Sequence, residues 1–282
     1  PKLSSLGGGE FSRLKDRVRA SIKEMAINLV EMYKERSQLK GFKFRRDEYL
    51  EKQFADAFGY QETPDQIKAI ADIDKDMESD KVMDRLICGD VGFGKTEVAL
   101  RACFKCIYNG KQVALLCPTT ILSQQHYMTA KERLEPFGCR VEVINRFKSP
   151  SQIKDIIRRN KDGEIDMLIG THKILGDSIE FKDLGLLILD EEQRFGVEHK
   201  EKIKNKHRNV DVLTLSATPI PRTLNMSLSG IRDISVIETP PRDRLPIQTY
   251  VSEENDQLIK DVISRELARG GQAFVIYNRV ES

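Results

Sequence analysis

Arg85-Leu86-Ile87-Cys88-Gly89-Asp90-Val91-Gly92-Phe93-Gly94-Lys95-Thr96 is the stretch that decides the fold. Its first four residues read as a short apolar strand. Gly89–Thr96 then fits G-x-x-x-x-G-K-[ST], and Thr96–Tyr108 reads as a helix. In that setting the glycines let successive backbone N–H groups point inward around a phosphate. The N-terminus of the helix adds partial positive charge. Gly89, Asp90, Val91, Gly92, Phe93 and Gly94 would form the cradle. Lys95 would reach the β- and γ-phosphates, and the Thr96 hydroxyl would ligate Mg²⁺. The expected ligand is ATP with Mg²⁺.

On either side of this loop, short apolar runs alternate with helical stretches. Strands are expected at Arg85–Cys88, Val113–Cys117, Val141–Ile144, Asp166–Ile169, Leu186–Leu189 and Val212–Leu215. Helices are expected between them, among them Pro150–Asn160, and another at about Arg46–Phe58. Continuously apolar strands alternating with helices imply an α/β fold, a parallel sheet covered by helices on both faces. Upstream, Leu14, Val18, Ile22, Met25, Leu29 and Met32 recur at steps of three and four, the stripe of a long amphipathic helix with a basic opposite face. Thr239-Pro240-Pro241 is a breaker cluster and reads as a linker. Beyond it, strands are expected at Ile247–Val251 and Ala273–Tyr277, with a helix at Asn255–Arg269 between them.

A second half of the site follows from Leu186–Leu189, an apolar strand that delivers Asp190-Glu191-Glu192-Gln193 to the carboxyl edge of the sheet. Asp190 would hold Mg²⁺, and Glu191 would orient and deprotonate the attacking water. Ser216-Ala217-Thr218, after the next strand, is a hydroxyl-bearing turn placed to sense hydrolysis, or an ordinary strand-end turn. Thr63-Pro64-Asp65-Gln66 precedes a helix. The Gln66 amide carries both a donor and an acceptor and so can read adenine, with Phe58 or Tyr60 stacking on the base; alone, the tetrapeptide reads as a helix cap.

The chain has 282 residues, is 39% hydrophobic and 32% charged, and carries a net charge of +2. That composition implies a folded globular chain and says nothing in favour of nucleic acid by its total charge. Twelve basic and five acidic residues fall in positions 1–46, so the positive charge is concentrated there. Arg158, Arg159 and Lys161, and the run Lys200–Arg208, read as solvated helix faces. The five scattered cysteines argue against a disulfide framework, and Cys103 and Cys106 read as small buried side chains rather than zinc ligands. No apolar run is long enough to span a bilayer and Pro1–Glu10 lacks a secretory pattern, which points to the cytoplasm and to no membrane partner.

In order along the chain, Thr63–Gln66, Gly89–Thr96, Pro118-Thr119-Thr120, Gly170-Thr171-His172, Asp190–Gln193 and Ser216–Thr218 resemble the motifs of superfamily 2 helicases. More narrowly, Asp190–Gly196 and Ser216–Leu224 resemble the bacterial transcription-repair coupling factors. The fork-reversing RecG helicases share the second segment, but usually carry His where this chain has Gln193. The resemblance covers nearly the whole chain and implies a RecA-like fold. It further implies a monomeric double-stranded DNA translocase that displaces stalled RNA polymerase and recruits the damage-recognition protein of excision repair, both through modules outside this chain.

By the same resemblance, Pro118, Thr119, Thr120, Gly170, Thr171 and His172 would contact the DNA backbone; read alone, they are plain strand-to-helix turns. Residues 1–10 would be the tail of an upstream polymerase-interacting module, 11–60 a helical linker, 61–245 the first RecA-like domain and 246–282 the start of a second. The second domain of such motors supplies an arginine finger, so this chain is expected to bind ATP but not to translocate alone. A RecG-type motor and a nucleotide-gated binding module stay open as alternatives.

Overall fold

A computed structural model of the chain describes residues 39–176, 178–191, 209–217, 233–242, 249–253 and 255–276. They fall into two compact units divided after Arg242. The expected amphipathic helix at 14–32, Glu192, Gln193, Lys200–Arg208 and Thr218–Leu224 lie outside the described residues.

Seven strands of the first unit form one parallel sheet: β1 Asp84–Gly89, β2 Gln112–Leu116, β3 Val141–Ile144, β4 Met167–Gly170, β5 Leu184–Asp190, β6 Asp211–Ser216 and β7 Asp233–Ile237. Their order across the sheet is β3-β4-β2-β5-β6-β1-β7. The six strands expected from apolar runs are present within two residues. β7 was not expected, because its short sequence alternates and, among the described residues, it lies at the sheet edge beside β1. Helices α1 Glu48–Asp56, α2 Pro64–Met77, α3 Lys95–Tyr108, α4 Thr120–Leu134 and α5 Pro150–Asp162 make the crossovers and covers.

Both sheet faces are covered, and strand alternation shows it. Val113 and Leu115 of β2, with Leu186 and Ile188 of β5, pack in one core with Phe54, Ile73, Leu100 and Leu134 of α1 to α4. Ala114 and Leu116, with Leu187 and Leu189, pack in the other with Ile156 of α5. This is why these strands read as unbroken apolar runs. The helix starts are fixed by sequence: Thr63 with Gln66, and Ser149 with Gln152, form capping boxes, each followed by proline at the first helical position. Residues from Phe44 onward also belong to this unit, since Phe44 and Phe54 are buried in its core.

Arg158, Arg159 and Lys161 are compensated by acids: Arg158 pairs with Asp155 and Asp162, Arg159 with Glu142, and Lys161 with Glu180. All five cysteines are free and buried. Among the described residues no helix is long and apolar enough to cross a membrane.

In the second unit, the helix expected at Asn255–Arg269 is present as α6 Asp256–Ala268, capped by Asn255. The flanking strands are not formed at residues 249–251 and 273–276. Val251 is 99% exposed and Ile276 92%, and among the described residues neither segment is paired as a strand.

Candidate functional site

Three strand ends build the site. Cys88 of β1 lies opposite Ser216 of β6, and Asp190 of β5 opposite Leu215 of β6. The carboxyl ends of β1, β5 and β6 therefore lie side by side, so the phosphate loop, the acidic pair and the hydroxyl turn share one sheet edge. Ser216 is buried and Ala217 half-buried, while Thr218 is outside the described residues.

The loop between β1 and α3 has Gly92 and Gly94 at φ of +81° and +77°, conformations that side chains rarely adopt. At Gly94 a Cβ would also lie 2.3 Å from Gln66 Nε2. Lys95 opens α3 and folds back over the loop, its Nζ donating to the carbonyl oxygens of Gly89 at 2.6 Å and Asp90 at 2.8 Å. Burial lowers the Lys95 pKa, against the opposing pull of Asp190, Glu191 and Asp90 nearby. Thr96, the second residue of α3, is half-buried behind the loop.

Asp190 is buried at 8% exposure, and its Oδ2 accepts from His126 Nε2 at 2.8 Å. An ionised carboxylate only accepts, so Nε2 carries the hydrogen. Glu191 has φ of +53°, in the left-handed region, and its backbone N–H donates to the Leu215 carbonyl at 3.0 Å. A non-glycine residue held there costs roughly 1 kcal/mol, which the surrounding strands sustain. The Thr96 hydroxyl and the Asp190 carboxylate are oxygen donors, the ligand type that Mg²⁺ takes, and among the described residues no cluster of three or more His, Cys, Asp or Glu offers a fuller metal site.

Gln66 is tied on both sides. Its Oε1 accepts from the Thr63 backbone N–H at 2.9 Å, and its Nε2 donates to the Phe93 carbonyl of the phosphate loop at 2.8 Å. The adenine-reading role expected for Gln66 requires its amide to exchange these partners. Phe58 stands with Tyr60 at 5.4 Å between ring centres, and the guanidinium carbons of Arg133 and Arg101 lie 5.5 and 5.9 Å from its ring. Arg133 also grips Glu97, the residue after Thr96, at 2.6 Å.

The residues expected to touch DNA come together. Pro118, Thr119, Thr120, Thr171 and His172 line one groove of about 560 Å³, with Asn145, Arg146 and Lys148. Gly170 ends β4 beside it, and a Cβ there would meet the Ile144 carbonyl oxygen at 2.7 Å. Sequence reasoning missed Asn145, Arg146 and Lys148, although two cations directly after an expected strand were a usable signal. It also missed His126. Sixty-four residues separate His126 from Asp190, and no local pattern marks the pair.

A family model described as DEAD/DEAH box helicase matches residues 63–227. The "Transcription-repair-coupling factor" of Bacillus subtilis (strain 168) is 56% identical over all of this chain, which spans 24% of that protein. The protein of the same name from Staphylococcus haemolyticus (strain JCSC1435) is 55% identical, again with all of this chain against 24% of the relative. This chain thus spans about a quarter of the length of these curated relatives. Among solved structures, "Structure of RecG bound to three-way DNA junction" superposes with a TM-score of 0.76 at 34% identity, over 95% of this chain and 37% of that one.

Proposed function

Because the chain belongs to the DEAD/DEAH box helicase family, we propose that it is the ATP-binding motor unit of a double-stranded DNA translocase that couples transcription to repair. The observation that carries the reading is the shared sheet edge of Lys95, Asp190 and Glu191, with a groove lined by Thr119, Arg146 and His172 at the ends of neighbouring strands. The names of the relatives at 55–56% identity support the transcription-repair assignment over a RecG-type motor at 34%. Displacement of RNA polymerase and recruitment of the excision-repair damage-recognition protein belong to this reading of the whole protein.

In this mechanism the loop N–H groups and Lys95 bind the phosphates, with Lys95 exchanging the Gly89 and Asp90 carbonyls for phosphate oxygens. Thr96 and Asp190 would hold Mg²⁺, which supplies charge neutralisation at the β- and γ-phosphates. Glu191, fixed by its strained turn, orients water and accepts its proton. Gln66 and Phe58 bind the base, and Ser216–Thr218 relays the state of the site.

The test is a titration of Mg²⁺ and ATP against the chain, with and without duplex DNA, alongside turnover by the complete protein. Lys95→Ala should weaken ATP binding at least about 10-fold, the loss of a charge-assisted contact. Glu191→Gln should keep ATP binding and lose turnover. Absence of Mg²⁺-dependent ATP binding in the unaltered chain would reject the reading. Retained function of the complete Glu191→Gln protein despite lost turnover would favour a module that only needs ATP bound.

A further inference from the structure

The groove and the acidic pair are joined by one helix. α4 begins at the groove, where Thr119 caps it by accepting from the Leu122 N–H, and Ser123 Oγ donates back to the Thr120 carbonyl at 2.7 Å. Six residues after Thr120, about 9 Å along the axis, His126 donates to Asp190 Oδ2. Between them, Gln124 Oε1 accepts from Asn145 Nδ2 at 3.0 Å, and Asn145 lines the groove. The body of α4 is seated by Ala130 and Leu134 in the core. The side chains of His126 and Asp190 are 12% and 11% exposed, which shields their contact from solvent.

We infer that His126 is a positioning residue for Asp190, and that α4 links occupation of the groove by a nucleic-acid backbone to the Mg²⁺-nucleotide site. The inference rests on the nucleotide-site reading of Asp190. One carboxylate oxygen held by His126 fixes the direction of the other, as outer hydrogen bonds do for metal-binding carboxylates. A duplex seated against Thr119, Thr120 and Asn145 shifts the start of α4. A shift of α4 displaces the His126 N–H and, with it, Asp190. By linkage, Mg²⁺-nucleotide then changes duplex affinity by the same factor.

The test uses the chain with a fluorescent ADP, titrated with Mg²⁺ in the presence and absence of duplex DNA, and repeated in EDTA. His126→Ala and the ring-preserving His126→Phe should each raise the Mg²⁺ midpoint about 10-fold. Both should leave ADP binding in EDTA unchanged and abolish the shift of the Mg²⁺ midpoint that duplex causes in the unaltered chain. His126→Gln, which retains an N–H donor, should restore most of both. Equal losses with and without Mg²⁺ would reduce His126 to a packing role and overturn the inference. So would wild-type behaviour of His126→Phe, or an unaltered chain whose Mg²⁺ midpoint ignores duplex. If the unaltered chain shows no Mg²⁺-dependent ADP binding, the nucleotide reading falls and takes this inference with it; the other failures remove the inference alone.

Discussion

Gln66 and Phe93 are joined across 27 residues by a 2.8 Å hydrogen bond from the Gln66 side-chain amide to the Phe93 carbonyl, so the cap of α2 and the phosphate loop are one structural piece. The same amide also closes the cap on Thr63. Gln66→Ala should therefore destabilise the chain by about 1 kcal/mol, the usual worth of such a cap. It should also weaken ATP binding by loosening the loop. Gly94→Ala should be the more damaging change for binding, since it forces a side chain into φ of +77° and against Gln66. Urea melts and ATP titrations of both variants check this; an unaltered ATP affinity in Gly94→Ala would contradict it.

The groove predicts a salt signature. Arg146 is exposed, and Lys148 makes only long contacts, with Glu142 at 3.7 Å and the Tyr127 ring at 5.9 Å, so both can be removed with little disturbance of the core. Arg146→Ala with Lys148→Ala should leave stability within about 0.5 kcal/mol. It should weaken duplex binding regardless of base sequence. The log–log salt slope should fall by about 1 for each phosphate that the variant no longer neutralises. Duplex titrations across a salt series decide the point.

Lys105 is a stability determinant in the core. Its side chain is 1% exposed, and its ammonium lies 2.6 Å from Glu78, 2.8 Å from Asp74 and 3.1 Å from Glu51. Burial works against its charge, but the bonds to Asp74 and Glu78 outweigh it and raise its pKa. Lys105→Met would leave three carboxylates around an apolar chain. The expected cost is about 3 kcal/mol, at the lower end for broken buried pairs because those carboxylates keep 22–29% of their side-chain surface exposed. Chemical denaturation measures it.

Asp65 ties α2 to the segment that follows β7. Its Oδ2 accepts from the Thr239 hydroxyl and N–H, both at 2.7 Å, and from the Glu238 N–H at 3.0 Å. The Thr239 hydroxyl bond foremost, against a small burial penalty, lowers the Asp65 pKa. A depressed carboxyl pKa contributes stability above the unfolded value of about 3.9, and loses it as pH falls through the folded value. Asp65→Ala should thus melt below the unaltered chain at neutral pH, by about 0.2–1 kcal/mol for so exposed a group. The gap should narrow as pH drops below about 3.9. A gap that stays constant from pH 7 into that acid range would show that the carboxylate charge is not what matters.

The residues proposed for the site were legible because the patterns that mark them are local. The spacing of Gly89, Gly94, Lys95 and Thr96 is a demand of backbone geometry around a phosphate. Asp190 and Glu191 stand at the end of a short apolar run of the kind that suits a strand buried on both faces of a parallel sheet. The two strands expected at 247–251 and 273–277 did not form at 249–251 and 273–276, although Ala273–Ile276 is as apolar as the strand before Asp190. A strand is satisfied only by neighbours, which composition does not supply.

The sequence by itself determined the glycine loop, the acidic pair and the α/β alternation that calls for a parallel sheet, since each is written in residues close along the chain. Only the tertiary structure decided that Gln66 holds the loop, that His126 holds Asp190 and that Asn145, Arg146 and Lys148 join Thr119 and His172 in one groove. Those relationships depend on which strands lie side by side, and that order is set by burying apolar surface on two sheet faces at once rather than by any local pattern.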